Sequence, residues 1–92
     1  VVSVIVVLQN DDLRFLPTLH AVLDQLMVRE LIVVNTLSSI AVDEALTHFS
    51  YQHPRAIIVA GSNARGLAKA YNLGAQYAST PYILLLDAYC VL

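Results

Sequence analysis

Asp87 is the residue in this chain best placed to do chemistry. The five residues before it, Tyr82-Ile-Leu-Leu-Leu86, are a continuous apolar run opened by Thr80-Pro81. So short a run without alternation predicts a strand buried on both faces of a parallel sheet. Asp87 then sits at the carboxyl end of a central strand, the edge where open α/β sheets bind ligands. Other polar residues follow apolar runs in the same way: Gln9 and Asn10, Asn35 and Thr36, and Asn63 and Arg65. Their convergence with Asp87 on one edge is a site hypothesis. The same residues are also what ordinary loops contain, and from spacing alone the two readings stand level.

The elements that must position these residues can be read in order. Val1 to Leu8 is nearly all β-branched and predicts a strand, with Gln9-Asn10-Asp11-Asp12 as its polar exit. Asp11 or Asp12 is expected to cap a helix carrying Leu16, Leu19, Leu23 and Leu26 at helical spacing. Pro17 is tolerated only in a first turn, so that helix starts near Phe15. Glu30 to Val34 predicts the second strand, and Val42, Ala45, Leu46 and Phe49 mark a second helix with Asp43 and Glu44 in its first turn. His53-Pro54 ends it, Ala56 to Ala60 is a third strand, and Leu67, Ala70, Tyr71, Gly74 and Ala78 line a third helix. Small residues at 70, 74 and 78 allow that helix to approach a sheet closely.

This alternation predicts an α/β fold in three layers, with right-handed crossovers and a parallel sheet of order 3-2-1-4. The first two helices would cover one face and the third the other. The order reverses between strands one and four, which opens a crevice there.

Composition sets the limits. The 92 residues form one domain, 1–92, with 58% hydrophobic and 13% charged residues, against about 25% charged in ordinary soluble domains. The excess apolar surface calls for a second copy or for more polypeptide. The chain, which begins without methionine, is read as a piece of a longer protein. A net charge of −2 gives no electrostatic case for nucleic acid or acidic membrane. The single cysteine, Cys90, permits no internal disulfide and fits a reducing, cytoplasmic setting. No apolar run is long enough to span a bilayer. His20, His48 and His53 lack metal-ligand spacing and are read as structural, as are Tyr51, Tyr71 and Tyr77.

Four segments together carry a resemblance: Ser3-Val-Ile-Val-Val-Leu-Gln-Asn10, Glu30-Leu-Ile-Val-Val-Asn-Thr36, Asn63-Ala-Arg-Gly-Leu-Ala-Lys-Ala-Tyr-Asn-Leu-Gly74 and Tyr82-Ile-Leu-Leu-Leu-Asp-Ala-Tyr-Cys-Val-Leu92. In order and separation they resemble the nucleotide-sugar-binding half of family-2 glycosyltransferases, which have the Rossmann-like GT-A fold. The resemblance implies a nucleotide-diphosphate sugar held by Gln9, Asn10, Asn35, Thr36, Asn63, Arg65 and Asp87. It also implies a manganese or magnesium ion at an Asp-x-Asp motif, where a divalent cation neutralises the charge developing on the diphosphate leaving group. Here that motif reads Asp87-Ala88-Tyr89, so one carboxylate is replaced by a neutral phenol and a metal would be held only weakly, by Asp87. Asn35-Thr36 likewise stands where the family usually has two aspartates, and the first loop keeps only Asn10 of the usual Pro-Thr-Tyr-Asn.

Two functions follow from this resemblance. One is a donor-binding domain of a glycosyltransferase whose acceptor half and catalytic base lie outside this chain, these residues alone being inactive. The other is a non-catalytic binding or assembly module that has lost metal-dependent donor binding. Homo-oligomerisation is expected under either, near the third helix and the carboxyl end. Sugar, nucleotide and acceptor stay open.

Overall fold

The computed structural model describes residues 1–9, 13–36, 39–61 and 66–87. Strand β1 (Val2–Leu8) is followed by a 3-10 turn (Leu13–Phe15), helix α1 (Leu16–Leu23), β2 (Val28–Asn35), α2 (Ile40–Gln52), β3 (Ala56–Ala60), α3 (Leu67–Ala75) and β4 (Ile83–Asp87). All strand pairings are parallel and the order is β3-β2-β1-β4. This is the three-layer α/β sheet expected from the alternation of elements.

The β-branched strands divide their side chains between two cores, because successive residues face opposite sides of a sheet. Val4, Val6 and Leu8 of β1 join Leu31 and Val33 of β2 under α1 and α2, which contribute Leu19, Val22, Val42, Leu46 and Phe49. Ile5, Val7, Ile32 and Val34 face the other way, toward Ala70, with Tyr71 and Leu73 packed against them. Gly74 sets the closeness of α3. A Cβ there would lie 2.7 Å from Ile5 Cγ2 and 2.9 Å from Val34 Cγ2.

Several boundaries differ from the sequence reading. β2 begins at Val28, which pairs with Val2, rather than at Glu30. α1 stops at Leu23, so Leu26, expected on its apolar face, lies fully exposed in the following turn. Phe15 caps α1 without a side-chain bond, while Asp11 and Asp12 lie outside the described residues. Ser39 caps α2 by accepting from the Val42 amide at 3.3 Å. Ala78 lies beyond α3 but still packs on that face of the sheet. Leu67 is half exposed, and Tyr51 and Tyr77 are exposed rather than packed.

The largest correction concerns β4. It was expected to be central and buried on both faces, yet it ends the four-stranded order, with Ile83, Leu84 and Leu85 exposed by 44%, 47% and 52%. The helices pack over β1, β2 and β3 and leave this edge bare among the described residues.

Two polar or aromatic groupings are products of tertiary structure alone. At the amino ends of the strands, Glu30 Oε1 accepts from the buried Ser3 hydroxyl at 2.7 Å, the Ser79 N–H at 2.6 Å and the Ser79 hydroxyl at 3.1 Å. Ser3 also lies 2.7 Å from the Thr80 hydroxyl, so this one carboxylate ties β1, β2 and the entry to β4 together. Burial pushes the Glu30 carboxyl upward, but the bonds from Ser3 and Ser79 and the nearby Arg29 charge outweigh it and hold it below the ordinary 4.5. Elsewhere His20, Phe49 and His53 form a ring cluster, the two imidazole centroids 5.2 Å apart and nearly perpendicular. Histidines distant in sequence are thus neighbours around a core phenylalanine, although the described residues hold no group of three metal-ligating side chains.

Candidate functional site

The site is built where the strand order turns back on itself. β2 lies on one side of β1 and β4 on the other, and the helices after β1 and after β3 cover opposite faces. In open α/β sheets such a reversal is where a ligand crevice forms, here at the carboxyl ends of β1 and β4.

Backbone register aligns the ends of three strands. Leu8 pairs with Asn35, and Val7 pairs with Asp87. Thr36 fastens the first pair: its N–H donates to the Leu8 carbonyl at 3.1 Å, and its hydroxyl donates to the same oxygen at 2.7 Å. The Gly61 N–H donates to the Asn35 carbonyl at 2.9 Å, drawing in the end of β3. Gly61 has no room for a side chain, since a Cβ would lie 2.6 Å from Val34 Cγ1 and 3.3 Å from Thr36 Cγ2.

The expected residues divide into three groups. Gln9, Asn35, Thr36 and the backbone of Asp87 are brought to this edge, with Gln9 exposed just beyond β1. Asn10, Asn63 and Arg65 lie outside the described residues, as do Tyr89 and the Asp87 side chain. Asp43 is an addition: its Oδ1 accepts from the Asn35 amide at 2.8 Å, which joins the first turn of α2 to the end of β2. The sequence placed Asp43 only by its favourable position in a first turn. Beside this pair a groove of about 380 Å³ is lined by Asn35, Thr36, Asp43, Leu46, Thr47, Ile58 and Ala60.

By sequence, what this edge offers to a cation is one carboxylate, Asp87, at the end of β4. That fits an ion shared with diphosphate oxygens and not one caged by protein alone, since hard cations take six or more oxygens.

With this geometry, the sequence comparison is decisive. The model of glycosyl transferase family 2 matches residues 3–92. The chain belongs to that family. No curated protein matches it. Among solved structures, the family-2 chain is similar to a mannosyltransferase from Pyrobaculum calidifontis determined with GDP-mannose and Mn2+, at 26% identity and a TM-score of 0.82. The match covers 96% of this chain and 27% of that one. The family-2 domain described here therefore corresponds to about a quarter of the length of that enzyme.

Proposed function

We propose that the crevice between β1 and β4 binds a nucleotide-diphosphate sugar, as the donor site of a glycosyltransferase. The observation that carries this reading is the register that sets Asp87 beside Val7, one residue from the Leu8 carbonyl that Thr36 holds. The similar mannosyltransferase, solved with GDP-mannose and Mn2+, supports the ligand class. In this reading Asn35 and Thr36 shape the nucleoside end of the crevice, and Gln9, Asn10, Asn63 and Arg65 offer donors to base, ribose and phosphate. Asp87 would hold a magnesium or manganese ion weakly, and that ion, when bound, would offset the charge of the departing diphosphate. The acceptor site and the catalytic base belong to further polypeptide.

A second reading, a non-catalytic binding module, has specific support. The Asn35 amide is engaged with Asp43 and the Thr36 hydroxyl with Leu8, so groups at the expected nucleoside position already serve the fold. Calorimetric titration of GDP and UDP, with and without Mn2+, separates the two. Donor binding predicts weak association, improved no more than about tenfold by Mn2+. Absence of binding of either nucleotide at millimolar concentration would leave only the second reading.

A further inference from the structure

We infer that Tyr71 is a positioning residue for Asp87, acting from α3 through the backbone of β4; the inference rests on the donor-site reading above. The Tyr71 hydroxyl donates to the Leu86 carbonyl at 2.9 Å. That oxygen belongs to the peptide joining Leu86 to Asp87. A peptide unit is planar, so the Leu86 oxygen, the Asp87 nitrogen and the Asp87 Cα move as one rigid body. Tyr71 thus anchors the plane from which the Asp87 side chain departs.

The anchor exists because α3 sits unusually close to the sheet. Ala70 is fully buried and Gly74 has van der Waals room for no Cβ against Ile5 and Val34. Tyr71, next to Ala70, joins the core on that face and reaches the end of β4. The strand needs such a hold. β4 is bonded along one side by β1, and its residues Ile83, Leu84 and Leu85 are about half exposed. At its start it is fixed through Ser3, Thr80 and the Glu30 cluster. At its far end the bond from Tyr71 is the described side-chain tie, and it falls at the peptide that bears the candidate cation ligand. Where a site has a single carboxylate, the position of that one group sets the affinity, so losing the phenol should weaken the cation site without emptying the crevice.

The test compares the unmodified chain with Tyr71→Phe, Asp87→Asn and the double variant. The readout is the Mn2+ concentration that half-broadens the backbone amide resonance of residue 87 in the GDP-saturated protein. Tyr71→Phe keeps the ring and removes the hydroxyl that donates to the Leu86 carbonyl. It should raise the Mn2+ midpoint on the order of fivefold, leave metal-free GDP affinity unchanged, and have no effect in the Asp87→Asn background. Amide spectra and thermal melting show that each variant is folded. An unchanged midpoint in Tyr71→Phe, or an equal shift with and without Asp87, would overturn the positioning role while leaving the donor site standing. A midpoint insensitive to Asp87→Asn, or no GDP binding at all, would instead refute the donor-site reading, and the role of Tyr71 with it.

Discussion

Single residues show how the same polar chemistry serves both fold and site. Glu30 is a structural carboxylate, and its behaviour with pH follows from its bonds. Its folded pKa is depressed, so its contribution to stability is present above the ordinary glutamate range and is lost as pH falls through the lowered folded value. Chemical denaturation of the wild-type chain should therefore show a loss of stability beginning near pH 4.5 and continuing below it. Glu30→Gln should lower stability at neutral pH and flatten that acid limb. An acid limb of the same steepness in Glu30→Gln would show that other carboxylates set it. For the cation the sequence points to Tyr89, where a second carboxylate would complete an Asp-x-Asp motif. Tyr89→Asp should make GDP binding more dependent on Mn2+ by about tenfold, equivalent to ~1.4 kcal/mol. If Mn2+ has the same effect on both proteins, residue 89 does not serve the cation.

Elements were legible in the sequence to the extent that their signals are local. The β-branched runs, the proline at the start of α1 and the apolar spacing of α2 each specify their own segment. The third strand is found where its residues Ala56 to Ala60 predicted it. What the sequence could not show depends on partners remote along the chain. The earlier start of β2 comes from the pairing of Val28 with Val2, and Leu26 lies beyond α1 because the helix stops at Leu23. An apolar run looks alike in a central and in an edge strand, so the local pattern suggested burial, whereas the order 3-2-1-4 and the uneven split of the helices already left Ile83 and Leu85 to be covered. That Gln9, Asn35, Thr36 and Asp87 lie along one edge was expected from topology, whereas the Thr36–Leu8 bonds, the Asn35–Asp43 bond, the Glu30 cluster and the Tyr71 anchor required the fold. The small residues of α3 were informative and can be tested. Gly74→Ala would gain roughly 1 kcal/mol of helix propensity, but its Cβ would strike Ile5 and Val34. Overpacking typically costs about 1–3 kcal/mol, so the net change should be destabilising and the melting temperature should fall by several degrees. A melting temperature equal to or above that of the parent would mean that α3 retreats from the sheet freely.

At the scale of the whole molecule, the two edges of the sheet are unequal. β3 is short and preceded by Arg55, whose guanidinium donates to the carbonyls of Val28 and Leu23 and is held at the end of α1. β4 has no charge before Asp87, and its residues Ile83, Leu84 and Leu85 are about half exposed. An apolar cavity of about 340 Å³ opens beside it, lined by Val4, Val22, Gln25, Val28, Leu84 and Leu86. An apolar edge with no charged side chain from Ile83 to Leu86 is a template for pairing with another strand. Two copies meeting edge to edge through β4 would bury roughly several hundred Å² of apolar surface, which at ~25 cal/mol per Å² amounts to on the order of 10 kcal/mol. Association itself costs about 4–15 kcal/mol, so the balance gives at best a weak dimer, with an affinity on the order of tens of micromolar to millimolar, not an obligate one. Light scattering on this 92-residue chain should show a mass above 10.1 kDa that rises with concentration. Leu85→Lys places a charge on the exposed strand and should return the mass to that of one copy without lowering the melting temperature. A wild-type chain that stays at 10.1 kDa up to millimolar concentration would show that the exposed edge does not pair with itself.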